Sequence, residues 1–145
     1  MSDKDLIEKF EFKFKKFATI DKEDHEQYNT LKKAKDSFLE GESFTKIFIL
    51  SMTLGYKKGE SKKIQNPLKD NIPTSVFTTD EKWMMISVYM STKNKKLEAI
   101  YDVDEILTNA EEYANGGFKY LWNLYKNQSG NTIESLEEEF RQYLQ

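Results

Sequence analysis

Cysteine is absent from this sequence. That excludes a disulfide framework and a thiolate metal site, and it makes a reducing cytoplasm the expected compartment. Long apolar runs are also missing. The opening stretch "MSDKDLIEKFEFKFKK" carries a charge every second or third residue, so it has no apolar core of a signal peptide, and no later run reaches the roughly 18 apolar residues of a membrane span. Histidine occurs once, at His25, and arginine once, at Arg141. With one histidine and no cysteine, few side chains suited to nucleophilic or metal chemistry remain. Proline (2) and glycine (6) are scarce while 32% of residues are charged, a balance that favours helix over sheet. The expectation is an all-α, compact single-domain helical bundle of about five to six helices with one long central loop.

The charge that is present is unevenly placed. The net charge is −3, yet residues 1–100 hold 19 basic against 16 acidic side chains and residues 101–145 hold 3 against 9. The two parts therefore attract each other or different partners.

Periodicity divides the chain. Residues 1–20 form an ambiguous N-terminal segment: Phe10, Phe14 and Phe17 have helical spacing, but "FEFKF" also alternates as a strand does. A helix is expected over residues 26–39, stopped near Gly41. "SFTKIFILSMTLGY", residues 43–56, is apolar nearly all round and reads as a central buried helix. Residues 57–79 hold Gly59 and both prolines and read as the long loop. Thr78 and Glu81 have capping-box spacing, opening a helix that buries Trp83, Ile86 and Met90 and ends near "TKNKK". Asp102 and Glu105 repeat that spacing at the head of the next segment, and Asn131 and Glu134 at the head of the last.

"AEEYANGGFKYLWNLY", residues 110–125, poses the main local question, because Asn115, Gly116 and Gly117 can stop a helix. Val103, Ile106, Leu107, Ala110, Ala114, Gly117, Leu121 and Leu124 nevertheless keep one 3.6-residue phase through the glycines, which favours a continuous helix of about 24 residues and roughly 36 Å. Two mid-helix glycines cost about 1 kcal/mol each relative to alanine. They therefore need a packing or functional reason, and the small patch of Ala110, Ala114 and Gly117 leaves room for another helix backbone to approach closely. Asn115 is read either as a cap or as an amide bonding across that contact. Residues 131–145 form an amphipathic acidic helix whose Ile133, Leu136, Phe140 and Leu144 make a stripe that docks on the domain or on a partner.

Chemistry is sparse. His25, in "KEDHEQY", reads as a solvated surface residue. Asp102, Asp104, Glu105, Glu111 and Glu112 are suited to a hard cation, although capping and the helix dipole account for acids in a first turn; the expectation is no metal and no cofactor. "GYKKGESKK" lacks the second glycine followed by Lys and Ser/Thr that a phosphate loop needs. Lys57, Lys58, Lys62, Lys63 and Lys69 gather on the loop and Lys93, Lys95 and Lys96 follow the next helix. They are suited to phosphate contacts, against which stand the near absence of arginine and the negative net charge. Tyr113, Phe118, Tyr120, Trp122 and Tyr125 fit a core and its rim better than a base-stacking surface.

Three segments, "IFILSMTLGYKKGESKK", the later "NIP" followed by Phe77, and above all "AEEYANGGFKYL", resemble in order and spacing a bacterial family associated with the DNA phosphorothioation (Dnd) system, the fourth of its associated protein families. The resemblance covers roughly residues 43–125. It implies a role in bacterial defence against foreign DNA and assigns no catalytic residue. Glu112, Tyr113, Asn115, Gly116 and Gly117 carry over as motif and interaction positions. The function expected from residues and resemblance together is that of a non-enzymatic accessory subunit binding larger protein components of a DNA-targeting anti-phage system. Two alternatives stand beside it: a DNA-contacting module using Lys57, Lys58, Lys62 and Lys63, and a metal-dependent nuclease or hydrolase using the acids near Asp102.

Overall fold

The computed structural model describes residues 14–93 and 97–127. Lys95, Lys96 and the expected docking residues Ile133, Leu136, Phe140 and Leu144 lie outside the described residues. The order of elements is strand β1 (Phe17–Asp21), helix α1 (Lys22–Lys33), helix α2 (Phe44–Lys58), strand β2 (Pro67–Pro73), helix α3 (Thr79–Lys93) and helix α4 (Val103–Lys126). Short 3-10 turns at Thr74–Val76 and Leu97–Tyr101 precede α3 and α4.

The fold is mostly helical but not all-α, and it has four α-helices among the described residues rather than five or six. The departure is a two-stranded antiparallel sheet in which Phe17 faces Pro73, Ala18 faces Ile72 and Ile20 faces Leu68, with an irregularity between Ala18 and Ile20. Half of the expected long loop is therefore ordered strand and turn. Pro67 and Pro73 stand at the two ends of β2, in a sheet so narrow that a missing N–H leaves no interior bond unmade. Asp70, with φ 54°, bends the strand between its apolar anchors Leu68 and Ile72.

α1 begins and ends earlier than its periodicity suggests. Asp21 caps it, accepting from the Glu23 amide at 3.1 Å. After Lys33 the backbone turns extended at Ala34, and the Ser37 hydroxyl donates to the Leu31 carbonyl at 2.6 Å. That bond satisfies a helix-end acceptor from outside the helix, and Leu39 is buried from a turn rather than from α1.

α2 starts at Ser43, whose hydroxyl accepts from the Lys46 amide, and stops at Gly59, in the left-handed region at φ 68°. Nine of its residues are buried, among them Ile47, Phe48, Met52 and Leu54, as an all-round apolar helix requires. α3 opens with the reciprocal capping box: the Thr78 amide donates to Glu81 Oε1 at 2.8 Å and the Glu81 amide to Thr78 Oγ1 at 3.1 Å. Its core residues are Met85, Ile86, Val88 and Tyr89, with Trp83 and Met90 partly buried.

α4 runs unbroken through Gly116 and Gly117 for 24 residues. It crosses α2, and Ile106, Leu107, Ala110, Ala114, Phe118 and Leu121 belong to one core cluster with the inward side chains of the other elements. Phe118 stacks on Tyr28 of α1 at 4.6 Å between centroids, and Tyr28 meets Phe44 edge-on at 5.5 Å. No helix among the described residues is long and apolar enough to cross a membrane.

Candidate functional site

The crossing of α2 and α4 explains the glycine pair. Gly55 and Gly117 face each other where the two helices touch. A Cβ on Gly117 would overlap the Ser51 carbonyl oxygen and the Gly55 amide nitrogen and lie 2.9 Å from Gly55 Cα; a Cβ on Gly55 would overlap the Tyr113 carbonyl oxygen. Gly116 faces differently: its added Cβ would meet the Glu60 carbonyl. Gly117 thus lets a helix in, and Gly116 lets in the loop that follows it.

That loop is held by its backbone. The Lys62 amide donates to the Glu112 carbonyl at 3.0 Å. Asn115 Nδ2 donates to the carbonyls of Lys62 and Lys63 at 3.0 and 3.1 Å, so Asn115 bonds across the contact rather than capping a helix. At the far end, Asp21 Oδ2 accepts from the amides of Gln65 and Asn66 at 3.2 and 3.3 Å. Tyr113, also in the motif, meets Tyr56 edge-on at 5.7 Å. The Glu112 carbonyl, the Asn115 side chain and Gly116 are therefore brought together around one loop, while Gly117 faces α2.

Pinning the backbone turns side chains outward. Lys58, Lys62 and Lys63 are exposed and Lys57 is half-buried. Lys58 and Lys119 each lie over the Tyr120 ring, 5.0 and 5.1 Å from its centroid. Glu60 accepts from the Tyr120 hydroxyl at 3.1 Å and pairs with Lys119 at 3.6 Å. Lys62 also stands near Asp24, whose carboxyl is pushed up to about 6, first by burial and then by neighbouring Asp21, with Lys62 acting against the shift. Lys69 is exposed on β2.

Two of the acids near Asp102 are engaged by α3. Among the described residues no three histidine, cysteine or acidic side chains converge so as to hold a metal ion. Asp102 makes no capping bond with its side chain. Instead the Tyr89 hydroxyl donates to Glu105 Oε2 at 2.6 Å and to Asp102 Oδ2 at 3.2 Å, which ties α3 to the head of α4 and raises the Tyr89 hydroxyl above its ordinary range. The capping-box spacing is thus overridden by a tertiary partner. Glu111, 5% exposed, faces the opposite side: it accepts from the Thr19 amide at 2.6 Å and pairs with Lys15 at 3.5 Å. Burial raises its carboxyl, and Lys15 and the Thr19 N–H oppose that shift. It is a clamp between α4 and β1.

His25 is half-buried at the edge of α1, 6.0 Å from the Phe44 ring and 3.5 Å from Asn29 Nδ2. Clefts open on the surface of the described residues, two of them beside α3. One, of about 650 Å³ between α2 and the start of α3, is largely apolar, with Val76 56% and Met84 41% exposed on its wall. The other, of about 300 Å³ between α3 and α4, has three acidic residues, Asp104, Glu105 and Glu112, in its lining.

Periodicity did not bring out Asp21, Gly55, Asn109 or the clamp role of Glu111. Asp21 followed by Glu23 and Asp24 is an N-cap signature in its own right, and a lone glycine inside the apolar α2 signals close packing. The Glu111–Thr19 contact joins residues 92 apart and leaves no local trace.

Residues 19–142 match the family described as DNA sulphur modification system-associated protein 4. The match extends the segment-level resemblance in both directions and includes the second half of β1 and all of α1. No curated protein and no solved structure matches the chain.

Proposed function

The chain belongs to the DNA sulphur modification system-associated protein 4 family, and from that premise we propose that it is a non-enzymatic accessory subunit of a DNA-targeting defence system, binding larger protein components. The observation that carries this reading is the use to which its most distinctive segment is put. "EEYANGG" supplies two close backbone approaches, a pair of amide bonds and one ring contact, all internal. A motif spent on rigidity maintains a shape, and a maintained shape suits recognition by partners. The test is affinity purification of the tagged chain from its native host, with and without nuclease. Co-recovery of the system's larger subunits in fixed proportion, surviving nuclease, is the expected result; recovery of the chain alone refutes the reading.

One observation favours a second reading, direct contact with DNA. The loop that carries Lys62 and Lys63, just after Lys58 at the end of α2, is fixed at three backbone points, and all three lysines are exposed. A pre-positioned cationic loop meets phosphates at lower entropic cost than a free one. Binding of duplex DNA that weakens steeply with salt, and is lost when Lys57, Lys58, Lys62 and Lys63 are replaced by Glu, is the expected outcome. Indifference to both changes rules it out.

A further inference from the structure

The cleft of about 650 Å³ runs between one face of α2, the short turn before α3 and the first turns of α3. Lys46, Ile49, Leu50 and Thr53 recur in its lining at helical spacing, so they form one stripe of α2 along roughly 10 Å at 1.5 Å per residue. Val76 and Met84 belong to the facing wall. Three large apolar side chains stand exposed among the described residues, and two of them are these. Scattered apolar exposure needs no explanation, whereas exposure gathered in one furrow marks a place where something docks. The charges around it are mostly acidic: Glu42, Asp80 and Glu81 stand in the lining with Lys46 as the one base. Glu42 and Asp80 are exposed. The starts of α2 and α3 offset that charge by about half a unit each, which leaves the lip negative.

Charge separates the occupants that such a furrow admits. A second copy joined through the same face would set the acids of one lip against those of the other. Within the chain itself, residues 131–145 hold four glutamates against Arg141, and residues 1–13 hold four acids against three lysines. Neither brings net positive charge to an acidic lip. A helix with apolar residues on one side and Lys or Arg beside them meets both demands, filling the apolar floor while its cations reach Glu42, Asp80 and Glu81. We propose that this cleft receives an amphipathic, basic helix of a partner protein. The proposal rests on the accessory-subunit reading and names the chemistry of the segment by which the partner docks.

The test uses the full chain labelled with ¹³C at its methionine methyls, the Met84 resonance being assigned through Met84→Leu. A water-soluble paramagnetic agent should broaden Met84 strongly in the free chain. Protection that persists on dilution would show one of the chain's own ends in the cleft, and protection lost on dilution a second copy; either overturns the proposal. The chain is then titrated with a capped peptide of about four helical turns, leucine on one face and lysine on the other. A saturable shift of Met84 is expected, and the same peptide with glutamate in place of lysine should bind at least about tenfold more weakly. Glu42→Lys combined with Asp80→Lys, both at exposed positions, should reverse that preference. An unmoved Met84, equal binding of the two peptides, or a preference indifferent to the charge reversal would each overturn the proposal. The purification described above separates the two claims. Partners recovered equally by the unaltered and the charge-reversed chain remove this docking site and keep the accessory reading, whereas a chain recovered alone removes that reading and this proposal with it.

Discussion

Replacing Gly117 by alanine sets two known effects against each other. Helix propensity alone favours the substitution, since alanine in a helix interior is about 1 kcal/mol better than glycine. Packing opposes it. The new methyl would occupy the space of the Ser51 carbonyl oxygen and the Gly55 amide nitrogen and sit 2.9 Å from Gly55 Cα. All three are backbone atoms of α2, so no side chain can rotate aside, and the two helices must separate. Separation loosens the contacts of Met52, Ala114 and Phe118, fully or nearly fully buried at this layer, and a gap of even 0.5–1 Å gives up about a quarter to a half of each dispersion contact. Overpacking of a tight core costs about 1–3 kcal/mol, and rigid backbone places this site at the upper end. The net is about 2 kcal/mol of destabilisation, a fall in Tm of about 6 °C for a chain of this size. Urea unfolding followed by circular dichroism, with the slope checked for constancy, measures it. A midpoint at or above that of the unmodified chain would refute the close-approach argument. Gly116→Ala tests the other side of the same helix: its methyl would overlap the Glu60 carbonyl, backbone of the pinned loop, so it too should destabilise.

Three further outcomes follow from named contacts. Asn115→Ala deletes both donors to the Lys62 and Lys63 carbonyls and should cost about 1–2 kcal/mol, with faster amide hydrogen exchange confined to residues 59–66; unchanged exchange there would show that Asn115 does not hold the loop. Tyr89→Phe should cost about 1 kcal/mol by removing the bonds to Glu105 and Asp102, a loss read by thermal unfolding and absent if those bonds add nothing. Asp24 carries a carboxyl raised to about 6 from 3.8. The folded state therefore binds the proton more readily, and stability falls as pH rises from about 4 through 6. Asp24→Asn should raise Tm at pH 7.5 and leave it nearly unchanged at pH 4; an equal effect at both would remove the linkage.

What could be read from the sequence was whatever one element decides by itself. α2 shows its burial in an unbroken apolar run, α4 keeps one helical phase across its glycines, and Thr78 with Glu81 form their capping box from residues three apart. What stayed hidden is decided between elements. β2, "PLKDNIP", offers only Leu68 and Ile72 as apolar anchors between two prolines, and it becomes a strand because β1 lies beside it. α1 stops short because Ser37 takes the Leu31 carbonyl. Asp102 gives up capping because Tyr89 reaches it from α3. In the candidate site, the helix phase placed Gly117 in a small-residue patch, but it left Asn115 open between a cap and a bond across the contact, and the loop against Gly116, the unsatisfied Asn109 amide and the Glu111 clamp depend on partners that only the folded chain brings near.

The Gly55–Gly117 crossing also sets an order of events. Its two helices are separated in the chain by β2 and α3, and β1 is tied by Glu111 to a residue 92 positions further on. During synthesis, α2 emerges with its apolar surface uncovered and waits for α4, while β1 waits longer still for its acidic anchor. Closing such long loops is entropically slow, and the interval leaves an apolar helix exposed to neighbouring chains. A variant that weakens the crossing would therefore lower the yield of folded protein in the cell before it measurably changed the protein that does fold.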